Sequence, residues 1–178
     1  MEPDLTAYVG VVAEPPRVAR YAVDEAMIRN WVEAHDDWNP VYLDQEAARE
    51  TGRPSVVCPP AMVSTWVMAG YRRYRELRQQ RAAGQIEDFP YSRMMRELDD
   101  AGYTSVVATD VEQEYVRELV PGDHVTCHFT IESISEPKRT GLGSGRFITL
   151  LKRYTDADDE TVCNERFRLL RFKPGGAA

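Results

Sequence analysis

Residues 35–62 read HDDWNPVYLDQEAARETGRPSVVCPPAM, and the breaks in this stretch set the architecture on either side of it. Pro40 cannot continue a helix arriving from upstream, because it lacks an N–H and its ring clashes with the preceding turn. The chain must therefore turn through Asp36, Asp37, Trp38 and Asn39. Asp44 is placed to cap a short helix over Gln45–Thr51, and Gly52 stops it. Ser55–Cys58 is a short extended run, after which Pro59 and Pro60 suit the first turn of a longer helix, Ala61–Gly70. Met62, Val63, Trp66 and Val67, with Tyr71 as an extension, line one face of that helix. The small residues Ala61, Ser64, Ala69 and Gly70 sit among them, which suits a helix wrapped by a curved sheet.

Upstream, residues 1–16 end in Pro15-Pro16 and read as an extended lead-in, and Arg17–Val23 alternates as a short strand. Asp24 is the cap of a helix whose first turn holds Glu25, where the helix dipole favours a carboxylate. Met27, Ile28, Trp31, Val32 and His35 share one face of it. Downstream of Gly70, YRRYRELRQQR predicts a solvated helix ended by Gly84, and Ser92–Ala101 a further short helix stopped by Gly102. From Tyr103 the period becomes two. Strands are predicted over 103–119, 123–135, 145–156 and 161–172. The second alternates most clearly, with Val125, Cys127, Phe129 and Ile131 on one face and His124, Thr126, His128 and Thr130 on the other. Pro121-Gly122-Asp123 and residues 156–160 are turns, so the sheet is largely antiparallel. Helices first and strands after give an α+β class, with the long helix on the concave face of the sheet. Residues 17–173 form the one domain, and 174–178 read as a linker or the end of the chain.

The 178 residues suffice for one domain with a real core. A net charge of −7 excludes the broad basic face that nonspecific nucleic-acid binding needs, yet leaves room for a small anionic ligand. Such a ligand needs only local cations. Two clusters supply them: Lys138-Arg139, and Arg72, Arg73, Arg75, Arg78 and Arg81. No apolar run is long enough to span a membrane, and the N-terminus has no basic region followed by an apolar stretch. Cys58, Cys127 and Cys163 are too few, and odd in number, for a disulfide framework. They read as buried thiols in a reducing cytoplasm. No His, Cys, Asp or Glu set has metal-ligand spacing, and no glycine loop or nucleophile elbow is present.

The segment Asp37-Trp38-Asn39-Pro40-Val41-Tyr42-Leu43-Asp44 resembles the active-site segment Asp-x-Asn-Pro-x-His-x-Asp of the MaoC-like, hot-dog-fold enoyl-CoA hydratases and dehydratases. Residues 112–134, EQEYVRELVPGDHVTCHFTIESI, resemble that family's aromatic-x-Arg-x-Leu-x-x-Gly-Asp strand-turn-strand. The likeness covers roughly Arg17 to Phe172. It implies an antiparallel sheet wrapped around a central helix, with two such units paired as a double hot-dog. In that family the Asp and His activate the water that adds to the double bond of the acyl thioester. Here Asp37, Asn39, Pro40 and Asp44 are in register, but the His position holds Tyr42, so Asp37 and Tyr42 read as vestigial slots. A phenol, with a pKa near ~10, is a poor base at neutral pH and can still donate a hydrogen bond.

A narrower likeness rests on residues 108–119, ATDVEQEYVREL, and 135–156, SEPKRTGLGSGRFITLLKRYTD. These resemble the MaoC-like subunits that lack the catalytic His and pair with an intact sister subunit, as in the steroid side-chain hydratases of bacterial cholesterol breakdown. The resemblance implies a non-catalytic subunit in a heterodimer or heterotetramer, its sister chain supplying Asp and His. It implies a coenzyme A thioester as substrate, no cofactor, no metal, and a tunnel for a bulky acyl group. Asn39, Pro59, Pro60 and Met62 are then tunnel-side residues, and Lys138, Arg139, Thr140 and Gly141 are candidates for the coenzyme A phosphates or for bracing the partner. Two other readings stay open. One is an autonomous hydratase or thioesterase using Asp37 with Tyr42 or His35; the other is an acyl-CoA-binding or assembly module.

Overall fold

The upstream helix forms where its cap places it. In the computed structural model, which describes residues 2–85 and 88–174, α1 runs Glu25–His35, and the Asp24 side chain accepts the Met27 N–H at 2.9 Å. Ile28 and Val32 are its buried residues, a narrower stripe than the five-residue face predicted, for Met27 and His35 are exposed. Asp36 takes the left-handed conformation (φ 55°) that ends α1 and turns the chain into the motif loop. A 3-10 turn over Pro40–Tyr42 is capped by Asn39, and α2 (Gln45–Glu50) by Asp44, which accepts the Ala47 N–H at 2.8 Å.

The helix predicted over Ala61–Gly70 does not form as such. Pro60–Met62 is a 3-10 turn, further turns carry the chain to Val67, and α3 begins only at Gly70 and ends at Ala82. Backbone bonds from Val63 to Pro60, Thr65 to Met62 and Met68 to Thr65 span three residues each, a tighter winding than an α-helix. The sequence gives the physical reason: two prolines remove donors, β-branched Val63, Thr65 and Val67 crowd the turns, and Gly70 takes a positive φ (72°). The core assignment survives the change of winding. Met62, Val63, Trp66 and Val67 are all buried, whereas Tyr71 is 74% exposed. No residue of α3 is buried. The extended run Ser55–Cys58 joins no strand; Val57 and Cys58 donate instead to the Val41 and Leu119 carbonyls.

After α4 (Pro90–Asp100), the second half of the chain builds the sheet. Its strands are β1 (Val12–Val18), β2 (Ser105–Tyr115), β3 (Thr126–Ile134), β4 (Lys138–Thr140), β5 (Gly143–Thr155) and β6 (Thr161–Pro174). The order is β1-β3-β5-β6-β2, every pairing is antiparallel, and β4 lies beside β5. Val125, Cys127, Phe129 and Ile131 face the core as their alternation predicts. The first strand is displaced from its expected place at Arg17–Val23 to Val12–Val18, with Ala19 and Val23 adding single bonds to Val125 and Asp123. Residues 1–16 are thus more than a lead-in, since Leu5 and Ala13 are in the core. Of the predicted tail, Pro174 ends β6 and residues 175–178 lie outside the described residues.

The two sheet edges differ. β1 carries Pro15 and Pro16 and two register shifts against β3, devices that blunt an edge. β2 has eleven residues, one register shift and no buried residue. The three cysteines are free and buried, and burial pushes the thiols of Cys58 and Cys127 up to about 12 and that of Cys163 to about 11. Among the described residues no helix is long and apolar enough to cross a membrane.

One carboxylate ties the start of the amino-terminal segment to the sheet and to Tyr103. Glu2 accepts from the Tyr103 hydroxyl at 2.7 Å and Lys173 Nζ at 2.9 Å, with Arg146 at 3.4 Å. The Lys173 bond first, then that of Tyr103, lowers the Glu2 pKa to about 2 from 4.5. A folded-state pKa below the unfolded one gives stability present above about 4.5 and lost as the pH falls toward about 2. Glu2 is half exposed, so Glu2→Gln should cost no more than about 1 kcal/mol at pH 7, or roughly 2–4 °C in Tm. Thermal unfolding of both proteins from pH 7 downward should show the gap closing below pH 4.5; a gap independent of pH would remove the carboxylate from this role.

Candidate functional site

The motif loop is held by structural bonds rather than by substrate-facing ones. The Asn39 carbonyl oxygen accepts the Val41 N–H at 3.3 Å, and the Asp37 N–H donates to Val32. The Asp37 side chain is exposed. Tyr42 packs partly buried against the core. Burial first, and then the negative charges of Asp37 and Glu118, push its phenol above the ordinary value, against a hydrogen bond with Asn39 that lowers it. At neutral pH Tyr42 is therefore a protonated phenol, a donor and not a base. His35 stacks on Trp31 at 3.9 Å, and its Nδ1 lies 2.9 Å from the Trp31 carbonyl, a contact that requires the Nδ1–H tautomer. The polar-face histidine His128 sits 3.3 Å from the Thr155 hydroxyl.

Two residues that spacing alone does not single out staple the segment after α2 to the connection between β2 and β3. The Arg53 guanidinium grips Glu118 through Nε at 2.8 Å and Nη2 at 2.7 Å, and also donates to Thr51. The partners are 65 positions apart, so only folding brings them together.

Pro59 and Pro60 line an apolar cavity of about 30 Å³ with Cys58, Val63, Tyr115, Leu119 and Val162. That is the space of roughly one water molecule, too small for an acyl group. Met62 lies fully buried, with its sulfur 3.7 Å from that of Cys58. The remaining predicted residues are elsewhere. Lys138, Arg139 and Thr140 form β4, opposite Gly145, Ser144 and Gly143 at the beginning of β5. The Thr140 hydroxyl donates to Gly143 and accepts from Leu142, closing the turn that contains Gly141. Lys138 lies over Phe147 at 5.8 Å. The cavity adjoins Val162, beside the end of β5 at Thr155. Ten residues of strand, or about 33 Å, separate the two groups. One copy of this chain does not join them.

A polar chain on the core-facing side of the sheet went unforeseen. Glu165, 4% exposed, accepts from Lys152 at 2.5 Å and from the Gln113 amide at 2.7 Å, and the Tyr115 hydroxyl donates to Gln113 at 2.5 Å. It leads from the interior to Tyr115 at the cavity. The available signal was phase: Glu165 alternates with Cys163 and Phe167, a glutamate in a core register. On the same side of β2, Val106, Val111 and Tyr115 are exposed. Among the described residues no three His, Cys, Asp or Glu side chains converge as a metal site.

Comparison with known proteins places this geometry. Residues 7–165 match the family described as "FAS1-like, dehydratase domain region". The chain is 49% identical over 177 residues to a "Probable enoyl-CoA hydratase alpha subunit" of Thermomonospora curvata, covering 97% of this chain and 52% of that protein. It is 41% identical over 162 residues to the "3-oxo-4,17-pregnadiene-20-carboxyl-CoA hydratase alpha subunit" of Mycobacterium tuberculosis, covering 91% and 49%. The chain thus spans about half the length of these two curated relatives. Among solved structures, the ChsH1-ChsH2 complex from Mycobacterium tuberculosis superposes with a TM-score of 0.78 at 40% identity, over 92% of this chain and 86% of that one. A MaoC-like dehydratase from Rhodospirillum rubrum has a TM-score of 0.57 at 16% identity over 94% of each chain, which speaks to the fold alone. The chain belongs to the FAS1-like dehydratase family, with the MaoC-like hot-dog fold.

Proposed function

We propose that this chain is the non-catalytic half of a two-subunit enoyl-CoA hydratase, shaping the acyl-CoA tunnel while a sister hot-dog subunit supplies the Asp and His. The observation that carries the reading is Tyr42 in the water-activating position, partly buried and with its phenol pushed up. Hydration needs a group that takes a proton from water as oxygen attacks the β-carbon and returns one at the α-carbon. A protonated phenol cannot take the first proton. The names of the relatives, alpha subunits of hydratases, support a second subunit, and the pregnadiene-carboxyl-CoA relative supports a bulky, steroid-class acyl group. The small cavity beside Pro59 and Pro60 supports a tunnel completed only when the partner covers the open flank of β2.

Enoyl-CoA hydration is expected to be absent with the purified chain and to appear on co-expression with a sister subunit carrying the intact Asp and His. Turnover by the isolated chain would return the chemistry to Asp37, Tyr42 and His35, and tight acyl-CoA binding with no turnover in any mixture would leave a binding module. In the active complex, Asp37→Asn and Tyr42→Phe should keep kcat within about twofold, whereas removal of a working acid/base group costs roughly 10²–10⁴-fold.

The partner is proposed to dock along β2. Val111 is 60% exposed on the core-facing side of that strand, so Val111→Lys should leave folding of the isolated chain intact. Sedimentation of the mixed subunits should then show loss of the complex, and an unaltered complex would place the interface elsewhere.

A further inference from the structure

The helix α3 is the most cationic element of an acidic chain, with five arginines against Glu76, and none of its residues is buried. Arg73, Glu76, Leu77 and Gln80 are its less exposed positions, one turn apart along one side. The opposite side carries Tyr71, Tyr74, Arg75 and Arg78. The two tyrosine rings lie 6.4 Å apart, and the Arg78 guanidinium stands over Tyr74 at 5.8 Å. Arg72 is paired with Glu76 at 3.2 Å, but among the described residues Arg75 and Arg81 have no ion-pair partner. Tyr71, Arg72, Arg75, Glu76 and Gln79 border a groove of about 300 Å³, the Glu76 carboxylate being held by Arg72.

Position separates this cluster from the other cationic candidate. The Arg20 side chain donates to the Ala69 carbonyl at the start of α3, and the neighbouring Ala19 pairs with Val125 just before β3. Thr126 of β3 is opposite Thr155, and Thr155 is opposite Thr161. The start of α3 therefore lies at the same end of the sheet as Val162 and the Pro59-Pro60 cavity, whereas Lys138 lies at the other end.

On the reading proposed above, the structure assigns the Tyr71–Arg81 side of α3 to the phosphorylated adenosine end of the coenzyme A thioester, the arginines meeting phosphate and a tyrosine ring stacking on the base. Guanidinium forks match phosphate oxygens geometrically, and aromatic faces stack on any nucleobase. An acidic protein surface would use the arginines, but it would give the exposed phenol rings of Tyr71, in the groove, and Tyr74, on the same side of the helix, no base to stack on.

The test titrates adenosine 3′,5′-bisphosphate into the purified chain and its mixed complex by calorimetry. Because α3 buries no residue, Arg75→Ala/Arg78→Ala should fold like the parent, as circular dichroism would record. The double variant should bind the bisphosphate roughly tenfold more weakly, with the difference fading in high salt. Tyr71→Ala should weaken the bisphosphate but not inorganic pyrophosphate, which has no base. In the active complex, the double variant should raise KM for an enoyl-CoA at unchanged kcat, and leave KM unchanged for an N-acetylcysteamine thioester, which lacks the nucleotide. Bisphosphate binding unaltered by the double variant, or equal KM changes for both thioesters, overturns the assignment. Loss of subunit association with nucleotide binding intact overturns it in favour of a protein-docking helix. Bisphosphate binding that depends on Arg75 and Arg78 without hydration in any mixture would sink the hydratase reading and leave the helix assignment standing.

Discussion

The structure depends on a sheet that is closed at one edge and open at the other. At β1, Pro15 and Pro16 lack donors and two register shifts bend the strand away from regular pairing. At β2, eleven residues present an outer edge with no strand beyond it among the described residues, and their core-facing side chains include exposed valines. A long edge with exposed apolar side chains invites another chain. The core reflects this asymmetry: its strand residues come from β1, β3, β5 and β6, and none from β2. One flank is thus finished by the chain's own helices, and the other is left for a second hot-dog unit in the proposed pairing.

Most of the fold was legible because local chemistry and tertiary role agree. Asp24, Asn39 and Asp44 cap the elements they precede, since a short acceptor side chain satisfies donors wherever the chain enters a helix. The alternation of β3 was readable because one face is wholly buried, so every second position must be apolar. The segment 61–70 shows where such reading stops. Its apolar spacing is satisfied equally by a helix and by tight turns, and the pattern cannot record which hydrogen bonds close them. The residues bound for the core were right and the winding was wrong.

The site was less legible, for a physical reason that differs by residue. The Arg53–Glu118 staple links two loops through side chains alone, and nothing local requires it. Glu165 is unexpected because burying a carboxylate is costly unless it is matched, and its match comes from Lys152 on the neighbouring strand and Gln113 on the other side. Lys138 and Arg139 stand at a hairpin tip as expected, and the register of β4 fixes them far from the Pro59-Pro60 cavity. Strand register decides which residues can share a ligand, and composition carries no trace of it.

The motif loop keeps its shape without its base because shape and chemistry rest on different atoms. Pro40 ends the incoming helix direction, Asn39 caps the turn, Asp44 caps α2, and the Arg53–Glu118 pair holds the segment against the connection between β2 and β3. None of these bonds involves the side chain that would activate water. With the phenol of Tyr42 at that position every one of them is in place, and its ring packs at the edge of the core. On the proposed reading, a subunit without the reaction still presents its partner with a hot-dog surface. Position 42 then serves packing, as the partly buried Tyr42 ring against the core does here.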